Sequence, residues 1–230
     1  MKDCTNASHA ATTFIRDETT PGESPHRTWA GFESHSKAFR QLGLWAIDSV
    51  NANAWPGLYE YITTTAADIV MGQEVKRLPG DQTAAAEAAL RNLKWRGKIN
   101  PCERGPKGGP SAGTLVAVRS HIGMSQPDGY VIEDSHARVQ LQKVGAVCTR
   151  GLHAGTMYLI DGIGPTHPRN VDVLDEMAKR LSLISGPWVL CGDFNCEPAE
   201  LAATGFLDLI NGNIHAPTDM TCGNRKPDSS

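Results

Sequence analysis

The chain has 230 residues, enough for one large domain or two small ones, and 40% of them are hydrophobic, enough for a sizeable core. Its formal net charge of −3 excludes a general polyanion binder, so any contact with nucleic acid must come from a local basic patch. The cysteines include no Cys-x-x-Cys pair, so we expect neither a zinc site nor a disulfide scaffold. The chain has no apolar run that suits a membrane span or a signal segment, so we expect an intracellular protein, nuclear or cytoplasmic.

The predicted elements alternate between strands and helices. Residues 1–41 lack hydrophobic periodicity and predict a flexible leader, and one domain is expected over residues 42–230. Strands are predicted over residues 44–50, 67–72, 114–118, 138–148 and 155–163, and a last strand ends at Gly192. Helices are predicted after Pro56-Gly57, from a capping Asp81 to about Leu93, and from Asn170, with Val171 on the apolar face of that third helix. A short helix is predicted from Pro198. Strands interleaved with helices indicate a layered α/β domain.

Three of the predicted strands end in polar side chains that a buried strand does not need. These are Asn51 and Asn53, Gln73 and Glu74, and Asp193 and Asn195. We expect Gly192 to let the backbone turn, which leaves Asp193 and Asn195 leaning the same way. A hard cation such as Mg²⁺ takes oxygen ligands, for which Glu74 and Asp193 are the candidate carboxylates. The alternative is that Asn and Asp end these strands only because they favour turns.

The order of these motifs resembles a known enzyme superfamily. Asn51-x-Asn53-x-Trp55, Gln73-Glu74-x-Lys76 and Gly192-Asp193-Phe194-Asn195 are together similar to the endonuclease/exonuclease/phosphatase superfamily, which includes exonuclease III-like AP endonucleases and the endonuclease domains of non-LTR retrotransposons. The segment 197–206 resembles the stretch after the last motif in retroelement-type members. The resemblance implies a four-layered α/β sandwich of two packed mixed β-sheets flanked by helices, with the C-terminal strand or strands missing from this chain.

The resemblance also implies a role for each motif residue. Asn51 would bind or polarise the phosphate, and Asn53 and Glu74 would face Mg²⁺ (or Mn²⁺), with Glu74 as the principal ligand. Asp193 would orient or deprotonate the attacking water, and Asn195 would stabilise the transition state. The implied reaction is metal-assisted phosphodiester hydrolysis, in which positioning and electrostatic stabilisation supply most of the rate.

Two departures from the family pattern bear on activity. Members place a Tyr or His at the end of the strand before the long helix, where this chain is expected to carry Ile163, with His167 as a possible substitute. The family closes with a strand and an Asp-His pair, and no His follows Asp219 or Asp228. We therefore expect a domain that is incomplete at its C-terminal end and an activity that is uncertain.

A basic stretch favours nucleic acid as the partner, most of all DNA. Six basic residues and one acidic residue lie between positions 91 and 107, and Trp95 is among them. The candidate nucleic-acid-binding residues are Arg91, Lys94, Arg96, Lys98 and Lys107. The alternative is a solvated loop whose Trp95 docks on the core. The expected function is that of a DNA endonuclease domain of retroelement origin. One alternative is a silent remnant that folds or binds nucleic acid without cleavage, and the other is an enzyme for a small phosphoester such as an inositol phosphate. Neither a membrane nor a protein partner is indicated.

Overall fold

Strands make up most of the regular structure in the part of the chain that the computed structural model describes, which is residues 9–16, 44–105, 108–127, 136–145 and 147–216. The strands are β1 (His9–Arg16), β2 (Leu44–Asn51), β3 (Ile69–Gln73), β4 (Trp95–Asn100), β5 (Glu103–Arg104), β6 (Pro110–Ser111), β7 (Thr114–Arg119), β8 (Met124–Ser125), β9 (Val139–Val144), β10 (Leu152–Tyr158) and β11 (Trp188–Asp193). The helices are α1 (Trp55–Thr64), α2 (Asp81–Asn92), α3 (Pro168–Ser182), α4 (Pro198–Ala203) and α5 (Phe206–Ile210). None of these described helices combines the length and the apolar character that a membrane crossing requires.

The strands form two main sheets, and both are mixed. The first sheet has the order β1-β2-β3-β7-β4, in which only β2 and β3 are parallel. The second has the order β11-β10-β9-β8, in which only β10 and β11 are parallel. A parallel pair brings two carboxyl ends to the same edge of a sheet. The register accordingly pairs Asn51 with Gln73 in the first sheet and Tyr158 with Asp193 in the second.

Three apolar clusters separate four layers. Leu58 and Ile62 of α1 and Leu90 of α2 pack on the outer face of the first sheet. Between the sheets lie residues of both, among them Ile47, Met71, Val116, Val144 and Leu152. On the outer face of the second sheet, α3, α4 and α5 contribute Val173, Met177, Leu201 and Phe206. Each fully buried aliphatic side chain of this kind stabilises the fold by about 1.5–3 kcal/mol. The prediction of a four-layered α/β sandwich is confirmed.

A row of polar residues crosses the first sheet at one edge. The register aligns Asn51 with Gln73, Gln73 with Thr114, and Thr114 with Asn100. Gln73 is 1% exposed and donates from Nε2 to Thr156 Oγ1 of the second sheet at 2.8 Å. The same NH₂ group also donates to the Met71 carbonyl at 3.1 Å, so Gln73 links the two sheets at this edge from within the first one.

Several local predictions were wrong. His9–Arg16 lie in the segment expected to be a flexible leader, but they form β1, which pairs with β2 over its whole length. The hydrogen bonds of β2 create this strand, and they cannot be read from the segment's own pattern. The helix α2 does start at Asp81, but its N-cap is Gly80 and no side chain caps it. Val171 was expected on the buried face of α3, and it is 36% exposed.

Candidate active site

The two sheets converge on a pair of carboxylates that share one amide. Asn51 at the end of β2 donates from Nδ2 to Asp193 Oδ2 at 2.6 Å and to Glu74 Oε1 at 3.3 Å. Glu74 directly follows β3, and Asp193 ends β11, so three chain segments from two sheets meet here. Two carboxylates bound to one NH₂ group bring their negative charges close together. The arrangement therefore suits a cation or a positively charged group between them.

The neighbours of Glu74 lower its pKa by more than burial raises it, so its carboxyl group is ionised. Burial alone would raise the pKa of this carboxyl, but the Lys76 ammonium, which lies 2.6 Å from Oε2, lowers it by its hydrogen bond and its charge. Hydrogen bonds from Asn51 and Tyr158 lower it further, and the net result is a pKa below the usual range. Glu74 therefore carries its full negative charge near neutral pH.

Tyr158 is a residue of this site that sequence reasoning missed. It ends β10, pairs in register with Asp193, and hydrogen-bonds to Glu74 through its side chain. Its ring also contacts Arg138, whose Cζ lies 4.8 Å from the ring centroid. Burial raises the pKa of this phenol, and the charge of Glu74 raises it further, so Tyr158 stays protonated and able to donate.

The tyrosine position had been assigned to Ile163, and that assignment is wrong. The strand predicted over 155–163 runs from Leu152 to Tyr158, so the strand end lies five residues earlier than position 163. His167 does not replace the tyrosine either, because it is the N-cap of α3, where its Nδ1 accepts a hydrogen bond from Arg169 N at 3.2 Å. No local signal marks the strand end at Tyr158, because the apolar run continues through Leu159 and Ile160.

Asp193 and Asn195 differ in where their side chains are held. Asp193 accepts from Asn51 on Oδ2 and from the backbone N–H of Asn195 on Oδ1, at 2.6 and 3.2 Å. The Asn195 side chain instead donates to the Leu159 carbonyl at 2.8 Å, beside the end of β10. The two side chains therefore have different partners, and the expectation that they lean the same way stays a prediction.

Gly192 does not supply the turn that was expected of it. It lies inside β11, and the positive φ falls at Asn195, at 46°. A Cβ at position 192 would overlap the Met157 carbonyl, so glycine is needed for the close approach of β11 to β10. This approach brings Asp193 next to Tyr158.

Backbone strain is concentrated at the site. Asn53, Glu74, Lys76 and Asn195 all have φ between 46° and 55°, a region that few non-glycine residues adopt. Asn53 is exposed, and its backbone N–H donates to Asn51 Oδ1 at 3.3 Å. The Asn53 side chain forms no hydrogen bond to a described residue. Residues held in such conformations cluster at functional sites, where the surrounding fold compensates the cost.

The donor set fits the divalent ion that the motifs imply. Glu74 and Asp193 supply carboxylate oxygens and Asn53 an amide oxygen, all of them hard ligands. Asn51 instead turns its NH₂ group to the two carboxylates and its oxygen to the backbone N–H of Asn53. Mg²⁺ needs only one or two carboxylates, because water and substrate phosphate complete its shell. The described residues contain no group of three or more His, Cys, Asp and Glu that could hold a metal. A Lys76 ammonium bound to Glu74 marks the place where this carboxylate attracts a cation.

A buried asparagine supports the loop that follows Tyr158. Asn170, which is 1% exposed in the first turn of α3, accepts from Ile160 N at 2.7 Å and donates to the carbonyls of Ile160 and Gly164 at 3.1 and 2.9 Å. The prediction that Asn170 opens a helix is approximately right, since α3 begins at Pro168. Its side chain additionally anchors the loop, which the helical pattern alone does not indicate.

The predicted nucleic-acid-binding residues lie away from this pair of carboxylates. Arg91 and Lys94 are exposed near the end of α2. Arg96 and Lys98 are exposed on β4, the edge strand of the first sheet. Lys107 lies outside the described residues. Asn100 is at the site edge of β4, and Arg96 is four residues, about 13 Å, further along the strand. The described part of the segment contains the end of α2, β4 and β5, so it is not a single loop as the alternative had it.

Trp95 belongs to the core and cannot stack on a base. It is 0% exposed, and the guanidinium of Arg119 lies 4.1 Å from its ring centroid. Of the two alternatives for this residue, docking on the core is therefore the correct one. The exposed cations of the segment remain a prediction for nucleic-acid contact.

Comparison with known proteins agrees with the motifs. Among curated proteins none matches the chain. One solved structure that matches is ANGEL2, a 2′,3′-cyclic phosphatase in complex with adenosine-2′,3′-vanadate, at 17% identity and a TM-score of 0.40, over 63% of this chain and 44% of that one. The chain thus spans less than half the length of that protein. A sequence profile of the Endonuclease/Exonuclease/phosphatase family matches residues 49–226. Since that match covers well over half of its residues, the chain belongs to the Endonuclease/Exonuclease/phosphatase family.

Proposed function

We propose that this protein is a divalent-metal-dependent phosphodiesterase whose reaction takes place at Asn51, Glu74, Tyr158 and Asp193. Family membership supports a metal-dependent phosphoesterase type of function. The observation that carries the proposal is the amide of Asn51, which joins Glu74 and Asp193 from two different sheets. Two carboxylates that share one amide repel each other, and a cation or a positively charged group offsets this cost.

The hydrogen bonds of each side chain indicate its role in the proposed reaction. Asn51 positions both carboxylates, because both hydrogen bonds of its NH₂ group go to them. A divalent ion held by Glu74 and Asn53 would supply positive charge that offsets the charge of the phosphate. Asp193, with one N–H on each oxygen, is oriented to take the proton of an attacking water. The water O–H bond breaks as its proton passes to Asp193, and the water oxygen bonds to phosphorus. The P–O bond to the leaving oxygen breaks, and that oxygen takes a proton from solvent.

Two further groups face the phosphate in this scheme. Tyr158 stays protonated, so its hydroxyl is a donor that can pass from Glu74 to a phosphate oxygen when substrate binds. Asn195 uses one hydrogen of its NH₂ group for the Leu159 carbonyl and keeps the second for the transition state. Donors fixed in advance in this way typically contribute about 10²–10³ in rate each.

We further propose nucleic acid as the substrate class, with DNA and an endonuclease of retroelement type first among its members. The exposed cations Arg91, Lys94, Arg96 and Lys98 support this choice, since they can follow a phosphate backbone along the edge of the first sheet. The segment 197–206 supports the retroelement type, because it resembles the stretch after the last motif in retroelement-type members.

Nicking of supercoiled plasmid by the folded protein, in Mg²⁺, Mn²⁺ and EDTA, tests both levels of the proposal. We expect nicking in either ion, none in EDTA, none with Glu74→Gln, and unchanged nicking with Glu60→Gln, an exposed glutamate of α1. Phosphate release from an inositol phosphate without nicking would overturn DNA as the substrate. No hydrolysis of either substrate by folded protein would overturn the phosphodiesterase proposal itself.

A further inference from the structure

A pocket of about 280 Å³ opens between the start of α1, the loop after β3 and the first turns of α2. Its lining residues are Trp55, Arg77, Asp81, Gln82, Ala85 and Ala86. None of them takes part in the hydrogen bonds that join Asn51, Glu74 and Asp193. The pocket is thus a feature that the proposed reaction does not explain.

The pocket lies at the same sheet edge as the carboxylate pair because of how the chain leaves β2 and β3. These strands are parallel, so Trp55, four residues after Asn51, and Arg77, three residues after Glu74, leave the same edge of the sheet. The backbone around Arg77 is fixed, since its carbonyl accepts from Cys102 N at 2.8 Å. Ligands of open α/β sheets characteristically bind outside the carboxyl ends of such strands.

The lining combines apolar walls with donors and an acceptor at the rim. Trp55 is 8% exposed and forms an apolar wall with the methyl groups of Ala85 and Ala86. The Arg77 guanidinium lies 5.7 Å from the Trp55 ring centroid, and its buried Nε has no hydrogen-bond partner among the described residues. A buried donor without a partner is costly, which indicates that a ligand or water satisfies it. Asp81 adds an exposed carboxylate.

This composition suits a planar heteroaromatic ring better than an anion. A nucleobase has apolar faces and an edge that carries both hydrogen-bond donors and acceptors. Asp81 can accept from the donors, and Arg77 can donate to the acceptors. A second phosphate would meet the Arg77 charge, but it would also meet the Asp81 carboxylate and the apolar walls. Since Trp55 and Arg77 follow Asn51 and Glu74 at the same edge of the sheet, this placement suits one molecule that carries both the ring and the scissile phosphate.

We propose that this pocket binds the nucleobase next to the scissile phosphate and so makes the enzyme selective for nucleoside phosphodiesters. The proposal rests on the proposed function for the phosphate itself. The base enters between Ala85 and Arg77, and Arg77 Nε gains its missing acceptor from the base edge. Contacts of a base with an aromatic residue and an arginine are tolerant of sequence, so the pocket selects a base over no base.

Binding is measured without catalysis, in EDTA, by NMR of ¹³C-labelled alanine methyl groups. The probes are the 5′-monophosphates of adenosine, guanosine, cytidine and uridine, with ribose 5-phosphate as the probe that lacks a base. We expect at least one nucleotide to shift the Ala85 and Ala86 methyl signals, and ribose 5-phosphate to leave them in place. Ala84, exposed on the same helix and not part of the pocket, should not respond.

Matched variants complete the test. Leu at position 85 fills the pocket from an exposed helical position, so Ala85→Leu should weaken nucleotide binding about tenfold or more, and Ala84→Leu by less than twofold. Equal shifts with ribose 5-phosphate, or no effect of Ala85→Leu, would overturn the nucleobase pocket. Plasmid nicking without any nucleotide shift would overturn it while the proposed function stands, and nucleotide shifts without hydrolysis would support the pocket while the proposed function fails.

Discussion

Asn51 and Asp193 are 142 positions apart in the chain, yet the amide of one donates a 2.6 Å hydrogen bond to the carboxylate of the other. The bond joins the end of β2 in the first sheet to the end of β11 in the second. It can form only once the two sheets have packed together through their shared apolar layer. The candidate site is therefore a product of the whole sandwich and not of any one motif.

Two half-buried tyrosines with carboxylate partners allow a direct comparison. Tyr158→Phe removes the hydroxyl at Glu74, so we expect hydrolysis to slow by about 10²–10³ with little loss of stability. Tyr61→Phe removes the 2.6 Å hydrogen bond to the buried Asp48, so the free energy of unfolding should fall by about 1–3 kcal/mol while the rate is kept. Denaturant unfolding and steady-state kinetics measure both. A Tyr158→Phe enzyme with the parent rate would remove this residue from the site.

The pH dependence of the site follows from Glu74 and Lys76. Burial raises the pKa of Glu74, but Lys76 and two hydrogen bonds lower it below its usual range. A lowered pKa stabilises the fold above the unfolded-state value of about 4.3, and this contribution is lost as the pH falls through the folded-state value. In Lys76→Met the pKa of Glu74 should rise, because burial still raises it and the charge and hydrogen bond of Lys76 no longer lower it. The acid limb of the pH–rate profile should move to higher pH, while Lys179→Met, an exposed control, leaves it in place. An acid limb unmoved by Lys76→Met would contradict this account.

The close approach of β11 to β10 predicts a severe effect of one added methyl group. In Gly192→Ala the new Cβ would overlap the Met157 carbonyl, so the strands must separate. We expect a loss of about 1–3 kcal/mol in the free energy of unfolding, measured in urea, together with loss of hydrolysis because Asp193 moves. Gly109→Ala is the control, since a Cβ there meets no atom within 4 Å. Equal stability of the two variants would show that the strands do not approach as described.

Contact between the β4 edge and DNA can be tested by salt dependence. The double substitution Lys94→Ala/Arg96→Ala removes two exposed cations, whereas Lys98 is left in place because it pairs with Glu87 at 3.5 Å. If both cations bind phosphates, the slope of log K against log salt should become shallower by about 1.8. The control Arg169→Ala/Lys179→Ala removes the same charge from the exposed face of α3. Equal slopes for the two double variants would exclude this edge from DNA binding.

The sequence was informative where chemistry and local pattern coincide. Buried strands that end in Asn51, Glu74 and Asp193 could be recognised because a carboxylate or amide after an apolar run is visible without knowledge of the partner strands. The helices α1, α2 and α3 were also recognisable, because their apolar residues recur at helical spacing. The ordered motifs then indicated both the family and the layered fold.

The features that were missed depend on contacts between distant residues. The end of β10 at Tyr158 is set by its register with Asp193, and no local signal separates it from the residues up to Ile163. β4 contains Gly97, which weakens a strand pattern, but glycine is required there because Leu90 of α2 packs directly against it. The side-chain direction of Asn195 follows from the Leu159 carbonyl, which the fold brings to it.

The most direct test of the central claim replaces Asp193, because this residue joins the two sheets and is proposed to accept the proton from water. The measurement is the single-turnover rate of Mg²⁺-dependent cleavage of a DNA phosphodiester by Asp193→Asn, compared with Asp208→Asn, an exposed aspartate of α5. Our account predicts that Asp193→Asn stays folded and loses about 10²–10⁴ in rate, while Asp208→Asn cleaves like the parent protein. Cleavage by folded Asp193→Asn at the parent rate would contradict it.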